Sequence, residues 1–427
     1  MNYQRARKWL KEIEKYGSVL GLDSMRALAF RLGNPQKDLQ FVHIAGTNGK
    51  GSTLAYISNI VKESGYRVGA YISPTVFSYR EKIQVNGEHI GKEDFALLTE
   101  KVSIAVSQML IEGLPHPTVF EVETMISFLY FKEKKCDLVV LECGLGGLTD
   151  ATNIIENTKV AVFSPISLDH MAFLGNTIEE IAKVKSGIIK EGAEVVSAIQ
   201  SPSVEAVLAE AAKRMDCDFE AVKESDISLK KYDLDGNEFF YENEIYKTSL
   251  IGDYQTENAS LAIKAAKKLQ KYFPKITKET IKKGLWKASW LGRFSVVEKN
   301  PYLLIDGAHN RAGAAHLATS LRKYFPDKQF IFVCGMFSDK EYDKILEITA
   351  PLAEEIIAVE TKNNPRALLA RDLADHAKRY CKKVYCEPDI VEALALAKKE
   401  RGGDLEKVIV VFGSLSFLRE IVLSGED

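Results

Sequence analysis

A glycine-rich run, Gly46-Thr47-Asn48-Gly49-Lys50-Gly51-Ser52, constrains this chain more than any other feature. It stands between an apolar run, Phe41-Val42-His43-Ile44-Ala45, and a segment from about Ser52 to Ser64 with Leu54, Ile57, Ile60 and Val61 on one helical face. Gly65 is placed to stop that helix. Strand, glycine loop and helix in this order make an anion cradle. Glycines let backbone N–H groups turn inward, and the helix N-terminus adds partial positive charge. Lys50 can reach terminal phosphates as a mobile cation. The common GxxxxGK[ST] spacing is not met, because its first glycine would fall at Ile44 and Gly51 follows Lys50. The hydroxyl that usually helps to hold magnesium is therefore missing from its place. Hard oxygen ligands have to come from other strand ends.

The remaining pattern says which strands those are. Val68 to Ile72, Leu138 to Leu141 and Val160 to Phe163 are nearly continuous in apolar character, as parallel strands buried on both faces are. Thr177 to Lys190 predicts a helix with a capping box between Thr177 and Glu180. From Lys223 to Lys247 charged and aromatic residues mix around Asp235-Gly236-Asn237, which predicts a small antiparallel excursion. Helices are expected near Glu257–Tyr272 and Lys278–Leu285. A second alternation begins after Lys299-Asn300-Pro301, with strands at Tyr302–Ile305, Phe330–Cys334, Ile356–Val359, Lys383–Tyr385 and Val408–Phe412. The chain is thus expected to be α/β, with a boundary within 292–301 and units of 1–295 and 296–427.

Composition narrows the setting. Of 427 residues, 46% are hydrophobic and 27% charged, with a formal net charge of −2, so the bulk charge gives no argument for a nucleic-acid partner. Charges at Arg5, Arg7, Lys8, Lys11, Glu12, Glu14 and Lys15 break any apolar run at the start, which does not read as a signal peptide. No apolar stretch approaches the roughly 20 residues that cross a bilayer. A cytoplasmic protein with no membrane partner is expected. The six cysteines include no CxxC pair, and Cys136, Cys143 and Cys334 border apolar runs as core thiols do.

Ala45 to Ser52 resembles the phosphate loop of the folylpolyglutamate synthase and dihydrofolate synthase family, within the Mur ligase superfamily. The resemblance continues in order along the chain. It takes in Ile72-Ser73-Pro74, Glu81, Asn86-Gly87, Thr118, Phe120-Glu121, Glu142 to Gly147 and Asp150-Ala151-Thr152-Asn153. Leu168-Asp169-His170, Lys185, Gly252, Gln255, Asn258 and Gly292-Arg293 follow. Asp306 to Asn310, Asp339-Lys340, Pro365-Arg366-Ala367 and Gly413-Ser414-Leu415 complete it. The similarity spans about residues 10–420. It implies a Mur-ligase-like ATPase domain with a mainly parallel sheet, followed by a smaller Rossmann-like glutamate-ligase domain.

It also implies roles. Ser73, Glu142 and His170 each follow a predicted strand, where ligands gather in open α/β sheets; in the family these positions bind magnesium beside the phosphates of ATP, with two sites expected. A carboxylate on magnesium agrees with its preference for hard oxygens, a histidine less so. Lys185 alone reads as a solvated lysine, but the family carries a carbamylated lysine there. With Lys50 and His170, it makes up the expected catalytic set. Asn258, Arg293, Asp306 and His309 look like nucleotide contacts beside the loop, Arg293 as a fixed fork for phosphate oxygens and Asp306 as an acceptor from a ribose hydroxyl. Gly21-Leu22-Asp23-Ser24, Thr118 and Thr149-Asp150-Ala151 match where dihydropteroate-using members hold that substrate. Potassium is a further candidate cation for which no motif specifies ligands.

The chain departs from the family pattern at Thr75-Val76 after Pro74, at Leu148-Thr149, at Val184, at Leu291 and in the late run Ser416-Phe417-Leu418. The changes at Thr75, Leu148 and Thr149 fall nearer the expected pterin or folate site than the phosphate site. The implied reaction is attack of a substrate carboxylate on the γ-phosphate of ATP, then displacement of phosphate by the amine of glutamate. The expected partners are small molecules: ATP, L-glutamate and a folate or dihydropteroate, acted on by a monomer. A Mur-type ligase acting on a cell-wall nucleotide is the second enzyme reading, although such enzymes usually carry an added N-terminal domain before the loop. A non-catalytic nucleotide switch would not need Ser73, Glu142, His170 and Lys185 together.

Overall fold

The computed structural model describes residues 1–17, 21–362, 364–414 and 418–422. Leu415, Ser416 and Phe417, from the late run, lie outside the described residues. Among the described residues the strands form three sheets. The first contains β1 (Phe41–Ala45), β2 (Val68–Tyr71), β3 (Ile83–Val85), β4 (Glu88–His89), β5 (Leu138–Glu142), β6 (Thr158–Phe163), β7 (Glu194–Ser197) and β8 (Phe219–Ala221). Its order is β4-β3-β2-β5-β1-β6-β7-β8, parallel from β2 to β8 with an antiparallel edge at β3 and β4.

That order decides where a ligand can sit. β1 lies between β5 and β6, and the chain leaves β1 towards β2 but leaves β5 towards β6. A crevice therefore opens at the carboxyl ends of these strands. The register Ile44↔Glu142 and Ala45↔Phe163 brings Glu142 and the residue after β6 level with the start of the glycine loop. All five residues of β1 are buried, which is why its apolar run does not alternate.

The small antiparallel sheet holds β9 (Ile227–Asp233), β10 (Gly236–Tyr241) and β11 (Glu244–Thr248) in the order β11-β10-β9. With helices Gln255–Leu269 and Lys278–Lys287 it packs around the helix Lys50–Glu63, burying Ile57, Ile60, Phe239 and Leu261 in one core. Gly284 makes that packing possible, since a Cβ there would stand 2.5 Å from Ile60 Cα. The opposite face of the first sheet is covered by helices Tyr3–Ile13, Asp23–Arg31, Lys92–Ile111 and Val119–Glu133.

The third sheet comprises β12 (Ser295–Lys299), β13 (Tyr302–Asp306), β14 (Gln329–Cys334), β15 (Ala353–Ala358), β16 (Lys383–Cys386) and β17 (Lys407–Phe412), in the order β12-β13-β17-β14-β15-β16. It is parallel except for β12, which pairs antiparallel with β13. The expected α/β architecture, a large mainly parallel sheet followed by a smaller α/β sheet, is therefore borne out. Two local expectations differ. The helix predicted over Thr177–Lys190 runs only from Ile178 to Ser186, and its Thr177–Glu180 capping box is present. It ends where the chain at Gly187 closes on Leu148, a contact a side chain would block at 2.6 Å. β12 escaped notice because Ser295 to Lys299 is only partly buried and carries charge at both Glu298 and Lys299.

Candidate active site

The glycine loop is shaped by what crowds it. Gly46 has φ +151° and Gly49 φ +82°; a Cβ on Gly46 would fall 1.9 Å from Ser164 Oγ, and one on Gly49 2.4 Å from Asn258 Oδ1. At Gly51 the indole of Trp290 comes within 2.7 Å of a Cβ position, so a side chain after Lys50 would require Trp290 to shift. The loop is pinned from β6: Thr47 N and Asn48 N donate to Pro165 O at 2.9 and 3.3 Å, and Thr47 Oγ1 donates to Ser167 O at 3.1 Å. Gln255 Nε2 donates to Ser52 Oγ at 3.3 Å, and Asn258 Nδ2 to Gln255 Oε1 at 3.3 Å.

Two lysines address the loop. Lys50 Nζ donates to Thr47 O at 3.3 Å and Gly46 O at 3.4 Å, and lies 3.8 Å from Glu142 Oε1. Lys185, 6% exposed, donates to Gly46 O at 2.8 Å and forms no ion pair among the described residues. Burial, with the charge of Lys50 added, pushes its ammonium down to about 8. Burial pushes the Glu142 carboxyl up, against the pull of Lys50 and the N–H of Ser73, which donates to Glu142 Oε2 at 3.2 Å. Ser73 Oγ makes no hydrogen bond among the described residues.

The second wall comes from the junction and the third sheet. Gly292, Arg293 and Phe294 form a turn in which Gly292 N and Arg293 N donate to Ser295 Oγ at 3.0 and 3.3 Å. Asp306, buried at the end of β13, accepts from Phe294 N and Ala308 N, both at 2.7 Å, and from Tyr254 OH at 3.4 Å. Burial raises its carboxyl and the charge of Arg293 offsets this. His309 Nδ1 meets Gly307 O at 2.7 Å, and burial holds its imidazole down at about 4, so it is neutral with Nδ1–H donating. Across the cleft, Asn310 Nδ2 donates to Asn48 Oδ1 at 3.0 Å and Lys340 Nζ reaches Asp169 Oδ1 at 2.7 Å. Burial opposes the Asp169 charge, but the bond and charge of Lys340 outweigh it and hold that carboxyl at about 2.

One cavity of about 390 Å³ collects these groups. Gly46 to Ser52, Ser73, Glu142, His170, Lys185, Asn258, Arg293, Asp306 and His309 all line it, so every residue expected at the phosphate, metal and nucleotide positions meets there. His170 takes φ +51° at a helix start with its side chain 43% exposed. The residues expected at the pterin do not line it. Thr118 caps the helix Val119–Glu133, with Thr118 Oγ1 donating to Glu121 Oε2 at 2.9 Å. Asp150 is buried and occupied by its own chain: it accepts from Leu145 N at 2.7 Å, Thr152 N at 3.0 Å and the Thr152 hydroxyl. Thr149 is half-buried and Ala151 buried. Asp150 instead shapes the turn Gly144–Gly146, which does line the cleft. Sequence reasoning missed Tyr254, Glu257 and His316 in the lining. The nearby Gln255 and Asn258 pointed to the segment, but helical periodicity alone could not say which of its faces meets the unit of the third sheet.

A glycine loop between strand and helix, facing a second α/β sheet across a cleft with two lysines and a buried carboxylate, defines a two-unit phosphate-handling α/β architecture. Comparison with known proteins narrows this. The Mur ligase middle domain matches residues 44–266, and the Mur ligase, glutamate ligase domain matches residues 292–415. A Bacillus subtilis dihydrofolate synthase/folylpolyglutamate synthase is 36% identical over 427 residues, 98% of each chain. The Mycobacterium tuberculosis folylpolyglutamate synthase complexed with ADP and AMPPCP superposes with a TM-score of 0.89 at 28% identity, covering 100% of both chains. E. coli FolC in complex with DHPP and ADP gives a TM-score of 0.84 at 26% identity, over 97% of this chain and 96% of that one. The chain belongs to the folylpolyglutamate synthase/dihydrofolate synthase family of Mur ligases.

Proposed function

We propose that this protein is a cytoplasmic ATP-dependent ligase that joins L-glutamate to a folate, and that it also accepts dihydropteroate. The observation that carries the reading is the convergence of Lys50, Glu142, Lys185 and Arg293 on one cleft between two α/β units. The B. subtilis relative is named for both reactions, and the E. coli structure holds DHPP, which supports the wider acceptor range.

The acceptor carboxylate attacks the γ-phosphorus and ADP leaves; the amine of glutamate then attacks the acyl carbon and phosphate leaves. The loop amides and Lys50 hold the phosphates, and Arg293 adds a fixed cation from the junction. His309, neutral with its proton on Nδ1, offers Nε2 as an acceptor. Closure of the two walls on bound substrates would shield the acyl phosphate from water. Asp150 holds the Gly144–Gly146 turn of the cleft lining, and it remains, with Thr118, Thr149 and Ala151, the set proposed to meet the pterin.

The donor set suits magnesium. Among the described residues no three His, Cys, Asp or Glu side chains converge on a metal position, so a cation bound here would depend on oxygens of phosphate and water beside those of the protein. Glu142 and Ser73 would supply protein oxygens, with His170 at the edge. Magnesium would neutralise charge on the β- and γ-phosphates. Lys185 has the low basicity that addition of its amine to CO₂ requires, and the carbamate would give a second cation position an oxygen ligand. No residue set here specifies potassium.

The test gives purified protein ATP, magnesium and labelled glutamate with tetrahydrofolate, dihydropteroate or a UDP-muramyl acceptor. Label should pass to both pterins, and Lys50→Ala should lose transfer while melting normally. Transfer only to the muramyl acceptor, or to none, contradicts the proposal.

A further inference from the structure

The loop between β2 and β3 joins the cleft to the third sheet. Ser73 and Pro74 line the cleft, and Ser73 N holds Glu142 Oε2. A few residues on, the side chains of Val76 and Phe77 pack against a core of the second unit that includes Leu418 and Ile421. Between these anchors the backbone wraps one carboxylate. Glu81 Oε1 accepts from Val76 N and, at 3.2 Å, from Phe77 N; Oε2 accepts from Phe77 N and Ser78 N, each at 3.2 Å. Glu81 is 7% exposed and has no ion-pair partner among the described residues. Three successive N–H groups turned onto one anion form a nest, an arrangement that only a group accepting on both oxygens can fill.

The geometry points to Glu81 as a positioning residue of the ligase reaction. It fixes the 73–78 loop so that Ser73 stays on Glu142 while Val76 and Phe77 stay docked on the second unit. The metal-facing edge and the domain contact are then set together by one carboxylate. This rests on the proposed ligase activity. Glutamine at 81 would turn an NH₂ towards N–H donors and lose about half of the bonds, whereas alanine would empty the nest.

Glu81→Gln and Glu81→Ala, in the full chain, would be assayed for turnover with ATP and tetrahydrofolate and for ADP affinity without magnesium. Both should lose about 10–100-fold in kcat, the range for groups that orient a ligand-holding side chain. ADP affinity should stay within about threefold, because the glycine loop is untouched. Formate, but not chloride at equal ionic strength, should restore part of the Glu81→Ala turnover by refilling the nest. Wild-type turnover in Glu81→Gln, or equal response to formate and chloride, overturns the assignment. If Glu81→Ala does not fold, the kcat and ADP affinity of Glu81→Gln decide alone. A wild-type protein that transfers no glutamate removes the ligase reading itself, which the wild-type control reports separately.

Discussion

At the scale of residues, the cleft works by placing charges where burial would normally forbid them. Lys185 has no carboxylate within ion-pair distance among the described residues, and burial with the repulsion of Lys50 leaves its ammonium near 8 rather than in the ordinary lysine range. Its neutral fraction therefore grows as pH rises through about 8, and only the neutral amine adds CO₂. Ligase activity should be most dependent on added bicarbonate below that pH and least dependent above it. Labelled bicarbonate should leave a carbamate resonance in the wild type that Lys185→Arg lacks. Bicarbonate-independent activity across the range would exclude carbamate from the mechanism. Asp306, in the cleft lining, accepts one backbone N–H on each oxygen and so holds the Arg293 turn in place; a carboxylate keeps lone pairs for a further donor such as a ribose hydroxyl.

At the scale of elements, close approach is bought by glycine. Gly284 lets the helix Lys278–Lys287 lie against the helix Lys50–Glu63, with Ile60 N 2.6 Å and Ile60 Cα 2.5 Å from where a Cβ would be. Alanine is the better helix former by about 1 kcal/mol, but overpacking costs about 1–3 kcal/mol. The neighbour is backbone and cannot rotate away, so the clash should win. Gly284→Ala is expected to lower the urea midpoint; a raised midpoint would mean that the helices separate freely. The same elements show what was legible in the sequence. Continuous apolar runs such as Phe41–Ala45 and Val408–Phe412 announced buried parallel strands, because full burial leaves no alternation to confuse. β12 did not, since it is an edge strand whose partners, not its composition, make it a strand. The site was legible wherever chemistry needs a special backbone, as at Gly46 and Gly49. At Thr118 and Asp150 the sequence alone does not separate capping from ligand binding, because the two look alike until hydrogen bonds are known, and in the structure both residues cap helices.

At the scale of the whole molecule, the two units meet through apolar packing, as at Val76 and Phe77, and through directed contacts that include the Asp253–Ser320 bonds at 2.9 and 3.0 Å, the Asn48–Asn310 amide exchange and the Lys340–Asp169 pair, whose side chains are 9% and 12% exposed. The Asp169 carboxyl is depressed to about 2, so its contribution is present above the ordinary carboxylate range and is lost as pH falls through about 2. Neutral or mildly acidic pH should not open the cleft. Lys340→Ala should, since it strands a nearly buried carboxylate, and nucleotide affinity by calorimetry is expected to fall about tenfold, a typical inter-site coupling. Unchanged affinity would mean that the pair does not govern closure. Among the described residues no helix is long and apolar enough to cross a membrane.

The central claim is that the cleft activates an acceptor carboxylate by phosphorylating it. Carrying a heavy-oxygen label in that carboxylate tests this most directly. One labelled oxygen per turnover should appear in the released inorganic phosphate, because the bridging oxygen of an acyl phosphate leaves with phosphorus when the glutamate amine attacks carbon. Label retained wholly in the product, or found in a nucleotide, would contradict the account.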